Sequence, residues 1–140
     1  MRFMIIVRAT AQSEAEPMPM PGEALLAAMA SYHEDLAKAG ILLDANGLQP
    51  SAKGWRIRYE NGNRRVIDGP FAETKELIAG YTLIQVDSRE EALEWSRRFP
   101  APFEGPEPCE IEVRQVYELD DFSHSDGVER FRELEAARQG

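Results

Sequence analysis

The sequence predicts an α+β domain of split βαβ order with an antiparallel sheet, and three observations carry that expectation. Apolar residues recur at helical spacing over 23–39 and again over 88–99, and β-patterned runs flank both stretches. Clusters of Gly, Pro, Asn and Asp separate these runs into the order strand, helix, strand, hairpin, strand, helix, strand. At 140 residues the chain has the length of one domain, enough to bury a core.

Residues 2–9 (RFMIIVRA) form the first strand, with Phe3, Ile5 and Val7 on one side and Met4 and Ile6 on the other. Apolar residues on both sides predict a central strand buried on both faces. Residues 10–22 are polar and proline-rich and read as a loop longer than most connections. Met18 and Met20, set between prolines, either cover a pocket or belong to a disordered connector. Glu23 to Ala39 is a helix, its stripe built from Leu25, Met29, Tyr32 and Leu36, and Gly40 stops it. His33 stands on the shoulder of that stripe, a position for a half-buried packing residue or for an acid–base group.

Ile41 to Leu43 begins a second strand, which Asp44-Ala45-Asn46-Gly47 interrupts. Trp55, Ile57 and Tyr59 then alternate with Arg56, Arg58 and Glu60 as a half-buried strand, and 64–67 return after a turn in Asn61-Gly62-Asn63. A turn at Gly62-Asn63 sets Glu60 against Arg65 and Tyr59 against Val66. A turn at Asn61-Gly62 sets Arg58 against Arg65, a like-charge pair, so the first register is preferred.

The return strand runs into Asp68-Gly69-Pro70-Phe71-Ala72-Glu73-Thr74-Lys75-Glu76. An aspartate ordinarily closes a turn by accepting the N–H two residues on, but here that residue is Pro70, which has none. Asp68 therefore reaches Phe71 or beyond, bonds elsewhere, or stays free for a ligand at the rim of a pocket with Glu73 and Lys75. In the plainer alternative Asp68 only caps a tight turn and Phe71 plugs the core. Arg56, Arg58, Arg64 and Arg65 give the hairpin dense positive charge, either a solvated face balanced by nearby acids or a means of recognising a small carboxylate or phosphate.

Residues 78–86 (IAGYTLIQV) are the next strand, Gly80 marking a bulge or a close backbone approach. Ser88 and Glu91 form a capping box for a helix that turns Ala92, Trp95 and Phe99 inward and ends before Pro100. Four prolines in 100–108 exclude regular structure there. Residues 109–117 form the last strand, alternating Cys109, Ile111 and Val113 with Glu110, Glu112 and Arg114, and Cys109 reads as an inert small hydrophobe. Residues 1–120 thus form the core domain, and 121–140 a linker with a short charged helix at 126–138. That helix is too polar to stand alone, so it packs on the domain or on a second subunit. His124, in the Ser-Asp-rich linker, is solvated.

The formal charge of −9 argues against a nucleic-acid partner, since phosphate binding needs a basic footprint, and it disfavours anionic membranes. A single cysteine allows no intrachain disulfide and fits a reducing compartment. The apolar run at 3–7 is too short for a secretion signal or a membrane span, so a cytoplasmic location is expected. Two well-separated histidines and one cysteine make no metal-ligand spacing, and neither a phosphate-cradling glycine loop nor a nucleophile elbow is present. No metal and no cofactor are expected. Cofactor-free proton transfer stays open.

The run Asp68 to Glu76 resembles the signature of the DGPF proteins, a branch of the YCII-related family. Ala39-Gly40-Ile41-Leu42, Gly47-Leu48-Gln49-Pro50, Gly80-Tyr81 and Glu91-Ala92-Leu93-Glu94-Trp95 extend the resemblance over roughly residues 1–118. It implies a ferredoxin-like fold whose sheet pairs with a twin in a homodimeric α+β barrel, with a pocket between sheet and helices. The family is also associated with a His–Asp pair. Aligned on Ala39-Gly40, that histidine's position falls near Met29 rather than His33, so it is not carried over. Three functions follow. One is a cofactor-independent isomerase- or lyase-type enzyme on a small polar metabolite. There Asp68 would be the acid or base, His33 or Glu73 would assist, and Arg56 or Arg58 would orient an anionic group. The second is a non-catalytic ligand-binding or regulatory module, because DGPF-type proteins are associated with sigma-factor regulators. The third is a dimeric scaffold without a ligand.

Overall fold

A computed structural model describes residues 1–17 and 19–139. Its elements are β1 (Arg2–Arg8), α1 (Ala11–Glu14), α2 (Glu23–Lys38), β2 (Leu42–Gly47), β3 (Trp55–Glu60), β4 (Asn63–Asp68), β5 (Ile78–Gln85), α3 (Arg89–Arg97), β6 (Ile111–Gln115) and α4 (Asp126–Gln139). The main sheet has the order β2-β5-β1-β6, with every pairing antiparallel, and β3 and β4 form a separate ribbon. Two βαβ halves interleave in this order, as in the ferredoxin-like fold. Met18, half of the methionine pair considered as a pocket cover, lies outside the described residues, and Met20 is exposed.

The core forms where the period-2 and period-3.6 patterns meet. Phe3 and Ile5 of β1 and Ile84 of β5 point to the face that Tyr32 and Leu36 of α2 and Ala92 of α3 cover, with Ile41 and Val86 at its edge. Ile5, Leu36 and Ile84 are fully enclosed. The opposite sheet face carries Met4, Ile6, Tyr81 and Leu83, all only half-buried. β1 is central, as expected, yet one chain buries only one of its faces because both long core helices pack on the same side. Gly80 fulfils both expectations for it. A Cβ there would sit 2.9 Å from the Asn46 carbonyl oxygen, and the β1–β5 register slips beside it, between Val7 and Arg8.

Several expectations are corrected. Asp44 to Gly47 do not interrupt β2 but continue it along the sheet edge, past an irregularity between Leu42 and Asp44. The loop at 10–22 holds α1, capped by Thr10, whose hydroxyl accepts from the Ser13 N–H at 3.2 Å. The ribbon turns at Asn61-Gly62, with φ of 50° and 77°, and so sets Arg58 opposite Arg65. Left-handed conformation at both central residues is what a two-residue hairpin turn needs, and Asn-Gly supplies it best. The like-charge pair costs little because both arginines are exposed and point into water. β3 is not half-buried either: it belongs to a ribbon separate from the main sheet, and every residue of it is exposed. Phe71 does not join the core either. It is half-buried beneath the Arg56 guanidinium, 3.8 Å from its ring centre.

Candidate functional site

Among the described residues, three candidate places stand out, and they share no residue. The first is the turn after β4. Gly69 donates its N–H to the Gly54 carbonyl (3.1 Å), and the Phe71 N–H donates to Ser51 Oγ (3.1 Å). Ser51 is held in turn by Glu14 of α1, which accepts from its N–H at 3.0 Å and from its hydroxyl at 2.5 Å. The Phe71 donor is thus taken by Ser51, not by Asp68. Among the described residues none donates to the Asp68 carboxylate, which is exposed across the ladder from Trp55. Glu73 and Lys75 are exposed on the following loop, and Arg8 reaches the Lys75 carbonyl. Arg56 lies over Phe71 and Arg58 faces Arg65, so both stand on the ribbon without enclosing Asp68.

This turn yields a first prediction. Ser51→Ala removes the hydroxyl that links Glu14 to Phe71 and leaves a half-buried carboxylate with one backbone donor. A loss of roughly 1–3 kcal/mol in chemical denaturation is expected. A loss below the error of the measurement would mean that water replaces the hydroxyl.

The second place is His33. In the neutral ring Nδ1–H donates to the Met29 carbonyl (2.8 Å), the only role that oxygen allows. Nε2 then accepts from the Thr82 hydroxyl (2.8 Å), and Thr82 is 2% exposed. Tyr32 and Phe99 meet the ring edge-on. Both nitrogens are engaged, Nδ1 within α2 and Nε2 in tying α2 to β5, and no hydrogen bond joins His33 to Asp68 among the described residues.

The third place is a cleft of about 500 Å³ on the open sheet face, closed at one end by α4. Met1, Leu43 and Leu83 give it an apolar floor; Arg2, Arg138, Asp44, Glu118 and Glu135 bring both signs of charge to its walls. Tyr81 donates to Asp44 Oδ2 (2.8 Å), while Asn46 donates to Oδ1 (3.2 Å), so the carboxylate is fixed at the rim. Arg2 donates to Glu118 (2.9 Å) and to the Tyr117 carbonyl (3.1 Å). The bond to Glu118 raises the guanidinium pKa above its usual value, so this cation is permanent. None of Asp68, His33, Glu73, Lys75, Arg56 or Arg58 lines the cleft. Its walls come from both chain ends and from β2 and β5, too scattered for any local motif to mark. The interrupted reading of 44–47 also hid Asp44.

Among the described residues no group of three His, Cys, Asp or Glu is placed to hold a metal ion. No helix among them is long and apolar enough to cross a membrane. The family model of the YCII-related domain matches residues 1–120. The chain belongs to the YCII-related family. An uncharacterized protein of Rhizobium meliloti (strain 1021) is 35% identical over 75 residues, which span 54% of this chain and 60% of that protein. The YCII-related domain accounts for the sheet, for α2 and α3, and for the ribbon with its turn. α4, which closes the cleft, follows the matched region.

Proposed function

We propose that the protein is a homodimeric, non-catalytic module that binds a small polar metabolite in the cleft between the open sheet face and α4. The observation that carries this reading is the lining. A volume of about 500 Å³ suits a small molecule, and the carboxylate of Asp44 and the guanidinium of Arg138 line it together with apolar Met1, Leu43 and Leu83. Such walls match a ligand with separated positive and negative groups, an amino-acid-like zwitterion above all. The half-buried Met4 and Ile6 beside the cleft favour a second sheet covering this face. The Asp68 to Glu76 run favours the DGPF branch, and with it a cytoplasmic role in sigma-factor-type regulation.

Thermal unfolding against a panel of amino acids and dicarboxylates tests the site. A zwitterion is expected to raise the midpoint, and Asp44→Asn or Arg138→Ala to weaken its binding about tenfold each, as loss of one charged contact would. Asp68→Asn should bind as the parent does. Loss of binding in Asp68→Asn alone would move the site to the ribbon base. One observation favours that second reading, acid–base catalysis at Asp68. The carboxylate is free of donors among the described residues and stands on a turn pinned through Ser51.

A further inference from the structure

The ribbon of β3 and β4 has two unlike faces. Residues directly opposite in an antiparallel ladder share a side, so the register puts Trp55, Ile57, Tyr59, Arg64, Val66 and Asp68 on one face. Arg56, Arg58 and Arg65 stand on the other, where Arg56 covers Phe71. The first face is uncovered: Trp55, Ile57, Tyr59 and Val66 are 64, 45, 67 and 64% exposed. A two-stranded ribbon is marginal in water by itself, and this much contiguous apolar area on one side marks a contact surface.

The two charges of that face stand at its ends. Arg64 is paired with Tyr59 near the Asn61-Gly62 turn, and its guanidinium lies 5.2 Å from the Tyr59 ring centre. Asp68 is paired with Trp55 at the base. Arg64 and Asp68 lie on one strand with Val66 midway between them, about 13 Å apart at the rise of a strand. Neither forms an ion pair among the described residues. From tip to base the face carries a cation, an apolar middle and an anion, a pattern that complements its own reverse.

We propose that two copies of the chain stack these ribbon faces tip over base, about a two-fold axis that crosses the strands at Ile57 and Val66. Arg64 of each copy then meets Asp68 of the other, Tyr59 meets Trp55, and Ile57 and Val66 meet their own mates. Charge selects this arrangement, because tip over tip would set Arg64 on Arg64 and Asp68 on Asp68. Arg56, Arg58 and Arg65 stay in water on the outer sides of the pair. The contact goes beyond the proposed homodimer. It uses no residue of the open sheet face or of the cleft, so it joins two sheet-face dimers where both contacts form. One ribbon face is smaller than the area of about 800 Å² that a standard interface takes from each partner, so a reversible, micromolar association is expected.

Sedimentation of the full chain at rising concentration tests the proposal with two charge reversals, Arg64→Glu and Asp68→Lys. Both positions are exposed, and circular dichroism checks that the fold is kept. The parent is expected to show a reversible doubling of mass. Each reversal alone should weaken that step by on the order of 100-fold, about tenfold at each of the two symmetric ends. Mixed together, the two variants should associate as the parent does, because each end again sets one cation against one carboxylate. Arg58→Glu, on the opposite face, should associate like the parent. In a Trp95→Phe background, which leaves Trp55 as the sole tryptophan, acrylamide quenching should fall as mass doubles. A parent without the doubling, or a Trp55 that stays equally quenchable through it, overturns the contact. So does a mixture that fails to recover. Reversals that associate like the parent overturn it too, and leave the sheet-face homodimer standing. Zwitterion binding in the cleft should be unchanged in both reversals, and its absence from the parent would count against the cleft alone.

Discussion

Truncating Tyr32 to alanine is expected to cost roughly 3–5 kcal/mol, the range for deleting a buried aromatic ring. The ring is 6% exposed and meets Phe99 at 5.1 Å, His33 at 5.5 Å and Trp95 at 6.5 Å, all near edge-on. Its hydroxyl donates to the Trp95 carbonyl at 2.7 Å, so one side chain joins α2 to α3 by both packing and a hydrogen bond. The alanine leaves a cavity between the helices and an unpaired carbonyl, and the midpoint of thermal unfolding should fall by roughly 10–20 °C. Tyr32→Phe keeps the ring and loses about 1 kcal/mol. An alanine variant within about 1 kcal/mol of the parent, the size of an ordinary substitution, would mean that the helices close over the gap.

The same residue sets an alkaline limit. Burial pushes the Tyr32 phenol up to about 12, only partly opposed by the nearby Arg98 cation. Because the folded chain holds this proton more tightly than the unfolded one, the stabilisation is complete below the ordinary tyrosine value of about 10. It is lost as pH rises from there through about 12. Denaturant midpoints measured across that window should decline more steeply for the parent than for Tyr32→Phe. Parallel curves would remove Tyr32 as the cause.

The framework is readable in the sequence because its signals are local and repeat. Leu25, Met29, Tyr32 and Leu36 mark α2 by spacing alone, and Ser88 with Glu91 marks the start of α3, the Glu91 N–H bonding Ser88 Oγ at 3.1 Å. The ribbon register is misjudged when a cross-strand charge rule is set above turn geometry. For exposed arginines the repulsion is small, while Asn61 and Gly62 fix two left-handed conformations at once. Asp44 to Gly47 look like a turn in composition, yet they pair along β5, and Tyr81 and Asn46 hold the Asp44 side chain. The cleft is illegible for a different reason. Arg2, Asp44, Glu118 and Arg138 meet only after the chain has folded, and no pattern within a window of residues encodes their meeting.

The turn after β4 draws a sequence reading to Asp68, but its steric constraint lies one residue later. Gly69→Ala is expected to destabilise the protein by roughly 2–3 kcal/mol, at the upper end for inserting one methyl group into a closed contact. A Cβ on Gly69 would fall 1.9 Å from the Ser51 carbonyl oxygen and 2.7 Å from its carbon. Those are backbone atoms, and the same carbonyl already accepts the Gly54 N–H at 3.0 Å, so neither segment can yield cheaply. Relief must pull the turn away from Ser51, breaking the bonds from Phe71 to Ser51 and from Gly69 to Gly54 that fix the ribbon's base. Gly54 is the built-in control. It sits across that hydrogen bond with an ordinary extended φ of −124°, and a Cβ there would meet no neighbour closer than 3.8 Å. Gly54→Ala should therefore fold with nearly parental stability. Equal stabilities for the two variants would show that the turn opens freely and that its contact with Ser51 does not fix the ribbon's base.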